Sequence, residues 1–136
     1  MDLVQFRFRR AIAPQLLLRD PESGVAFYRQ AFAAERRYRL DDSEGRLVRA
    51  ELEFGDDLLL VEALDAAGAR PVGGTALAAI RIRLMVPSAD ETLGEAVSLG
   101  AELLAPPTNG LGLRSGVVRD PFGVEWVVAS PLSLKP

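Results

Sequence analysis

The chain has no cysteine and no histidine among its 136 residues. Without cysteine there is no disulfide framework, no thiolate nucleophile and no thiolate metal site. Without histidine the usual general base near neutral pH and the commonest metal ligand are missing as well. Charge of one sign is also lacking: 16 Lys and Arg stand against 19 Asp and Glu, a formal net charge of −3, and no basic cluster marks a nucleic-acid surface. No apolar run approaches the ~18 residues a membrane span needs. Met1 to Arg10 has no long apolar stretch after its charges, as a secretory signal would. The expectation is a soluble, cytoplasmic protein with no nucleic-acid and no membrane partner.

What the chain does have is core. Hydrophobic residues make up 49%, and a chain of this length forms one domain burying roughly two-thirds of its unfolded surface. The clearest local signal is Arg114 to Ala129. Val117 and Val118 end a strand, Asp120-Pro121-Phe122-Gly123 makes a tight turn, and Val124 to Ala129 forms a second strand. Upstream, Pro14 to Leu18 reads as a strand. A helix follows, capped by Asp20 or Ser23, with Val25, Phe27, Tyr28, Ala31 and Phe32 on its apolar stripe. Glu35 to Leu40, Arg46 to Phe54 and Leu58 to Glu62 read as three more strands, separated by polar turns. In the second of these, Arg49, Glu51 and Glu53 oppose Val48, Ala50, Leu52 and Phe54.

The second half follows the same plan. Ile80 to Val86 alternates as a strand, and Leu93, Ala96, Val97 and Leu99 form a helical stripe that stops at Gly100. Ala101 to Leu104 begins a strand that Pro106-Pro107 closes. Thr108 to Gly116 reads as a glycine-rich loop, a candidate lid. Leu16 to Pro21 before one helix matches Leu84 to Ala89 before the other, which makes the chain an internal repeat. The fold class expected is α+β: two βαβββ modules forming a curled mixed sheet around a cavity. The single domain 1–136 divides into module one at about 11–63, a small-residue connector at 64–79, and module two at about 80–131.

Three stretches carry a family resemblance. They are Leu16-Leu17-Leu18-Arg19-Asp20 to Ala26-Phe27-Tyr28-Arg29-Gln30-Ala31-Phe32, Ala50-Glu51-Leu52-Glu53-Phe54-Gly55-Asp56, and Gly112 to Gly123 with its Asp-Pro-Phe-Gly turn. With the repeat, they make the chain resemble the vicinal oxygen chelate superfamily of glyoxalase I, bleomycin-resistance proteins, fosfomycin-resistance enzymes and extradiol dioxygenases. The resemblance implies paired βαβββ modules around a cavity, usually in a homodimer. It also implies a divalent metal held by His and Glu side chains, one from each of four strands. Those positions fall at Ala13, Leu60, Arg81 and Val127. Alanine, leucine and valine have no donor atom, and arginine repels a cation. No metal and no other cofactor is expected.

If Arg81 points into the hollow, period-2 alternation turns Arg83 and Met85 inward with it, and likewise Gln15 beside Ala13 and Glu125 beside Val127. The candidate ligand-binding residues are Gln15, Arg49, Glu51, Leu60, Arg81, Arg83, Met85, Arg114, Glu125 and Val127. Arg81 and Arg83 have a plain structural use too, as cross-strand partners of Glu51, Glu53 or Glu125. Phe27, Tyr28 and Trp126 read as core. The leading functional expectation is a metal-independent small-molecule binding protein of the glyoxalase/bleomycin-resistance type, acting as a homodimer, whose arginines suit an anionic or carbonyl-bearing ligand. One alternative is a metal-free lyase or isomerase with Glu125 or Glu51 as base. Another is a metal-dependent enzyme with displaced carboxylate ligands such as Glu51, Glu53 and Glu62. Val4, Phe6 and Phe8 alternate in the first ten residues and suggest an extra edge strand at a dimer contact.

Overall fold

A computed structural model describes residues 12–67 and 79–132. The proposed N-terminal edge strand and most of the connector lie outside the described residues. The described chain falls into two compact units, one on each side of the 68–78 stretch. Each is a βαβββ module with a four-stranded mixed sheet, so the α+β class and the repeat are both borne out.

Module one contains β1 (Gln15–Leu18), α1 (Pro21–Phe32), β2 (Glu35–Asp41), β3 (Leu47–Phe54), β4 (Asp57–Ala63) and the short α2 (Leu64–Ala67). The sheet order is β1-β4-β3-β2, with β1 parallel to β4 and the remaining pairs antiparallel. Helix α1 begins where Asp20 accepts a hydrogen bond from the Ser23 N–H at 3.1 Å, with Pro21 in the first turn. It packs on β3 and β4 through Val25, Phe27, Tyr28, Ala31 and Phe32. Tyr28 has no exposed surface, and its ring stacks with that of Phe32 at 6.1 Å while Phe27 meets both edge-on at 5.6 Å. Gly24 lets the helix approach β1, since a Cβ there would stand 2.3 Å from Leu18 Cδ1.

Module two contains β5 (Ile82–Met85), α3 (Ala89–Ser98), β6 (Glu102–Gly110), β7 (Leu113–Arg119) and β8 (Glu125–Pro131). Its sheet order, β5-β8-β7-β6, is the same topology, again with one parallel pair, β5 with β8. Ser88 caps α3 by accepting from the Glu91 N–H at 3.2 Å, in the position Asp20 holds in module one. The buried residues of α3 are Ala89, Leu93 and Ala96; Val97, placed on the apolar stripe by spacing, is 42% exposed. Ser130 at the end of β8 accepts the Ala89 N–H at 3.0 Å and ties strand to helix. The turn between β7 and β8 is built around Asp120, 3% exposed, whose carboxylate accepts from the N–H groups of Phe122 and Val124 and from Trp126 Nε1 at 2.9–3.0 Å. Trp126, 1% exposed, is the core anchor that the sequence indicates.

One expectation is overturned here. Thr108 to Gly116 is no loop: β6 runs through Pro106, Pro107 and Thr108 to Gly110, a two-residue turn at Leu111 and Gly112 follows, and β7 starts at Leu113. The prolines are accommodated because β6 is the edge strand, and its register shifts between Leu103 and Ala105 and again between Ala105 and Thr108. At such edge and bulge positions a missing N–H costs little. Gly116 is glycine for proximity. A Cβ there would lie 2.7 Å from Leu93 Cδ1 and 2.8 Å from the Ala105 carbonyl oxygen.

Candidate functional site

Each sheet has one face under its helix and one face turned away from it. The second kind carries most of the candidate polar residues. In module two, β5 and β8 run parallel with Arg83 beside Val127 and Met85 beside Ala129, while β7 sets Val117 opposite Val127 and Arg119 opposite Glu125. Alternation places Arg81 on this same face, two residues before Arg83. Arg81 Nε donates to Glu125 Oε1 at 2.9 Å; Arg119 donates to Glu125 Oε2 at 3.4 Å and to Glu102 Oε1 at 2.9 Å. The result is a chain of alternating charges, Arg81–Glu125–Arg119–Glu102, crossing the face from one edge of the sheet to the other. The hydrogen bond from Arg81 is the main reason the Glu125 carboxyl is held below the ordinary glutamate range, with Arg119 adding to it.

The adjacent row on that face is Arg83, Val127, Val117 and Ala105. Arg83 is exposed and makes no hydrogen bond or ion pair with any described residue. The row beyond contains Met85, Ala129 and Ser115, and Met85 is 49% exposed. Of the two β5-side arginines among the four proposed for ligand contact, Arg81 is therefore committed to Glu125 and Arg83 is not.

In module one the corresponding face carries Gln15, Leu17, Leu58, Leu60, Glu62, Arg49, Glu51 and Glu53. Glu62 is buried at 7% exposure. It accepts from the Gln15 amide and from Arg49, whose Nη2 lies at 2.8 Å. Glu51, opposite Leu60, is buried at 3%. Glu53 is paired with Arg37. Gln15, Arg49, Glu51 and Leu60 thus share one face, and Arg81, Arg83, Met85, Glu125 and Val127 share another.

Arg114 is not with either group. It pairs with Ser130 across β7 and β8, on the face under α3. There it reaches Asp90 at 3.0 Å and Asn109 at 3.0 Å. Once Thr108 to Gly116 is a hairpin rather than a loop, strict alternation from Val117 turns Arg114 to the helix side. Glu62 is the opposite case. Its alternation with Leu58 and Leu60 marks the right face, but nothing in the sequence reports that it is buried or that Gln15 and Arg49 meet there.

The four positions at which the family resemblance implies metal ligands do not fit a divalent ion. Ala13, Leu60 and Val127 have no donor atom, and Arg81 is a cation engaged with Glu125. Among the described residues, no group of three or more His, Cys, Asp and Glu side chains is placed to hold a metal. The displaced-carboxylate alternative requires Glu51, Glu53 and Glu62 to converge, and no such grouping stands among the described residues. Glu62 accepts from the Gln15 amide and pairs with Arg49, and Glu53 pairs with Arg37, so these carboxylates are taken by neighbouring donors instead of converging with Glu51 on one point. No helix among the described residues is long and apolar enough to cross a membrane.

Comparison with known proteins agrees with this architecture. The glyoxalase-like domain model matches residues 14–129. An uncharacterized protein of Mycobacterium tuberculosis is 28% identical over 136 residues, covering 96% of this chain and 80% of the relative. Among solved structures, TioX from Micromonospora sp. ML1 superposes with a TM-score of 0.68 at 20% identity, covering 93% of this chain and 100% of that one. A glyoxalase/bleomycin resistance protein/dioxygenase family enzyme from Burkholderia phytofirmans PsJN gives 0.69 at 18% identity, with 88% and 97% covered. Lactoylglutathione lyase from Agrobacterium tumefaciens gives 0.60 at 19%, with 89% and 92% covered. At these identities the structural matches speak to fold alone, whereas the domain match spans most of the sequence. The chain belongs to the glyoxalase-like domain family, within the vicinal oxygen chelate superfamily.

Proposed function

We propose that this chain is a metal-independent, small-molecule binding protein of the glyoxalase/bleomycin-resistance type, working as a cytoplasmic homodimer. The observation that carries the reading is the side-chain set at Ala13, Leu60, Arg81 and Val127, where the family's metal chemistry would need donors. The polar groups facing away from the helices are organised for recognition: arginines with apolar neighbours in module two, and a buried carboxylate held by an amide and a guanidinium in module one. Such groups orient an organic ligand; they do not form a nucleophile–base pair.

A metal-free enzyme has less support. Glu125 is held in its ionised form by Arg81 and Arg119, which weakens it as a base. Glu51, the other candidate, is buried. A thermal-shift screen of metabolites and antibiotics tests the binding reading, because a ligand that binds only the folded state raises the melting point by mass action. Elemental analysis of chelator-free protein tests the metal. A stoichiometric transition metal removed only by strong chelators would overturn the proposal, as would a screen without a single hit.

A further inference from the structure

Module two's open face contains three arginines and two glutamates, and their pairing is uneven. Arg81, Glu125, Arg119 and Glu102 form a closed chain whose charges sum to zero. Arg83 stands one row away, about 7 Å along the strand from Arg81, with no counter-charge among the described residues. Its neighbours in its own row are apolar, Val127, Val117 and Ala105, and the next row adds Met85 and Ala129 before the polar Ser115. The face offers one unspent positive charge at the end of an apolar strip.

We infer that Arg83 is the residue that fixes ligand class: the ligand is an amphipathic monoanion, an apolar body bearing one carboxylate, with the carboxylate on the Arg83 guanidinium and the body along Val127, Val117 and Met85. This rests on the small-molecule binding reading above and refines it. A guanidinium presents parallel N–H donors that match a carboxylate in a bidentate pair. Arg81 does not share that task, because its Nε–H is already donated to the Glu125 carboxylate. A second negative group on the ligand would meet a row with no net charge. A neutral ligand would leave Arg83 unmatched but no worse off than in water, so the discrimination lies between carboxylate and amide and between one carboxylate and two.

The test is isothermal titration calorimetry of the full chain with benzoate, phenylacetate and hexanoate, their amides, and phthalate. At least one of the three acids binds at least tenfold more tightly than its amide, and benzoate binds more tightly than phthalate. Arg83→Gln removes the acid-over-amide preference and Arg83→Lys restores part of it. Arg29→Gln, which deletes an exposed helical cation, changes nothing. Glu125→Gln releases Arg81 and shifts the balance between phthalate and benzoate toward phthalate. The inference is overturned if none of the acids binds, if Arg83→Gln leaves the preference intact, or if Glu125→Gln leaves the phthalate-to-benzoate ratio unmoved. Those failures are separable from failure of the binding reading. If neutral or cationic compounds bind irrespective of Arg83, the protein is still a binder and only the ligand class is wrong; if a diverse library gives no hit, the binding reading itself falls.

Discussion

The two modules share a backbone plan and distribute its contents differently. Gln15 beside Leu60 corresponds to Arg83 beside Val127, and Leu52 opposite Leu59 corresponds to Val118 opposite Trp126. Under the helix, the modules exchange volume. Module one puts three aromatic rings on α1 over aliphatic strand residues; module two puts the indole of Trp126 on the strand and only Leu93 and alanines on α3. Both arrangements fill the helix–sheet space, which is what close packing requires. On the other face the row of Arg81, Glu125, Arg119 and Glu102 has Ala13, Leu58, Glu53 and Glu35 as module one counterparts. Module one instead places its main polar group at Glu62, where module two has Ala129. Packing fixes the common part, and the faces away from the helices are free to diverge.

The volume exchange can be broken most sharply at Trp126. Trp126→Ala should cost about 3–5 kcal/mol, from the cavity and from the Asp120 carboxylate losing a donor. Leu59→Ala, its counterpart, should cost nearer 2–3 kcal/mol. Denaturant unfolding with unchanged m-values measures both, and a larger loss at Leu59 would refute the exchange.

The two close-packed glycines give the next contrast. Gly116→Ala drives a methyl against the Ala105 carbonyl oxygen, which is backbone and cannot turn aside, at about 1–3 kcal/mol. Gly24→Ala meets the tip of Leu18, which can rotate, and gains about 1 kcal/mol of helix propensity, so its net effect should be close to zero. Thermal melts of the two variants separate these outcomes.

The helix ends differ more mildly. Gly100 closes α3 at φ 108, whereas Ala33 closes α1 in the left-handed region at φ 58. Ala33→Gly should stabilise by about 0.5–1 kcal/mol, and Gly100→Ala should destabilise by about as much. Equal signs for the two would break the parallel.

The smallest effect is on pH. Asp20, Glu22 and Asp42 in module one and Glu125 in module two are all held below their ordinary values. The causes are the Ser23 hydrogen bonds for Asp20, Arg39 for Glu22, the Arg46 and Glu44 N–H groups for Asp42, and Arg81 for Glu125. Depressed carboxylates contribute stability that is fully present above their unfolded pKa and lost as pH falls through the lowered folded value. The melting temperature should therefore be flat above about pH 5 and decline below the ordinary values of 4.5 and 3.8. Because these groups are exposed, high salt should flatten the decline. Asp42→Asn should blunt it, and a decline setting in near neutrality would point to other groups.

Much of the fold was legible because its signals are local. Asp20-Pro21 and Ser88-Ala89 start helices wherever they stand, and the alternation of Arg49, Glu51 and Glu53 with Ala50 and Leu52 reads as a half-buried strand. Pro106 and Pro107 misled for the same reason: proline reads as a strand ender, yet an edge position with shifted register tolerates it, and edges are defined by which strands pair. Arg114, read as part of that loop, sits instead on a strand, on the face under α3. The grouping of Arg81 with Val127 was readable from alternation once the repeat was aligned.

The sequence by itself determined the two βαβββ modules, the faces under the helices and the lack of metal-ligating side chains where the family places them, because these depend on residue type and on periods of 2 and 3.6. The tertiary structure alone decided which charges are spent. That Arg81 is held by Glu125 while Arg83 is not, and that Glu62 is buried between Gln15 and Arg49, follows from strand pairing between residues 13 to 47 positions apart. Electrostatic attraction acts across a few ångströms of space, and no local pattern encodes which distant strand will supply the opposite charge.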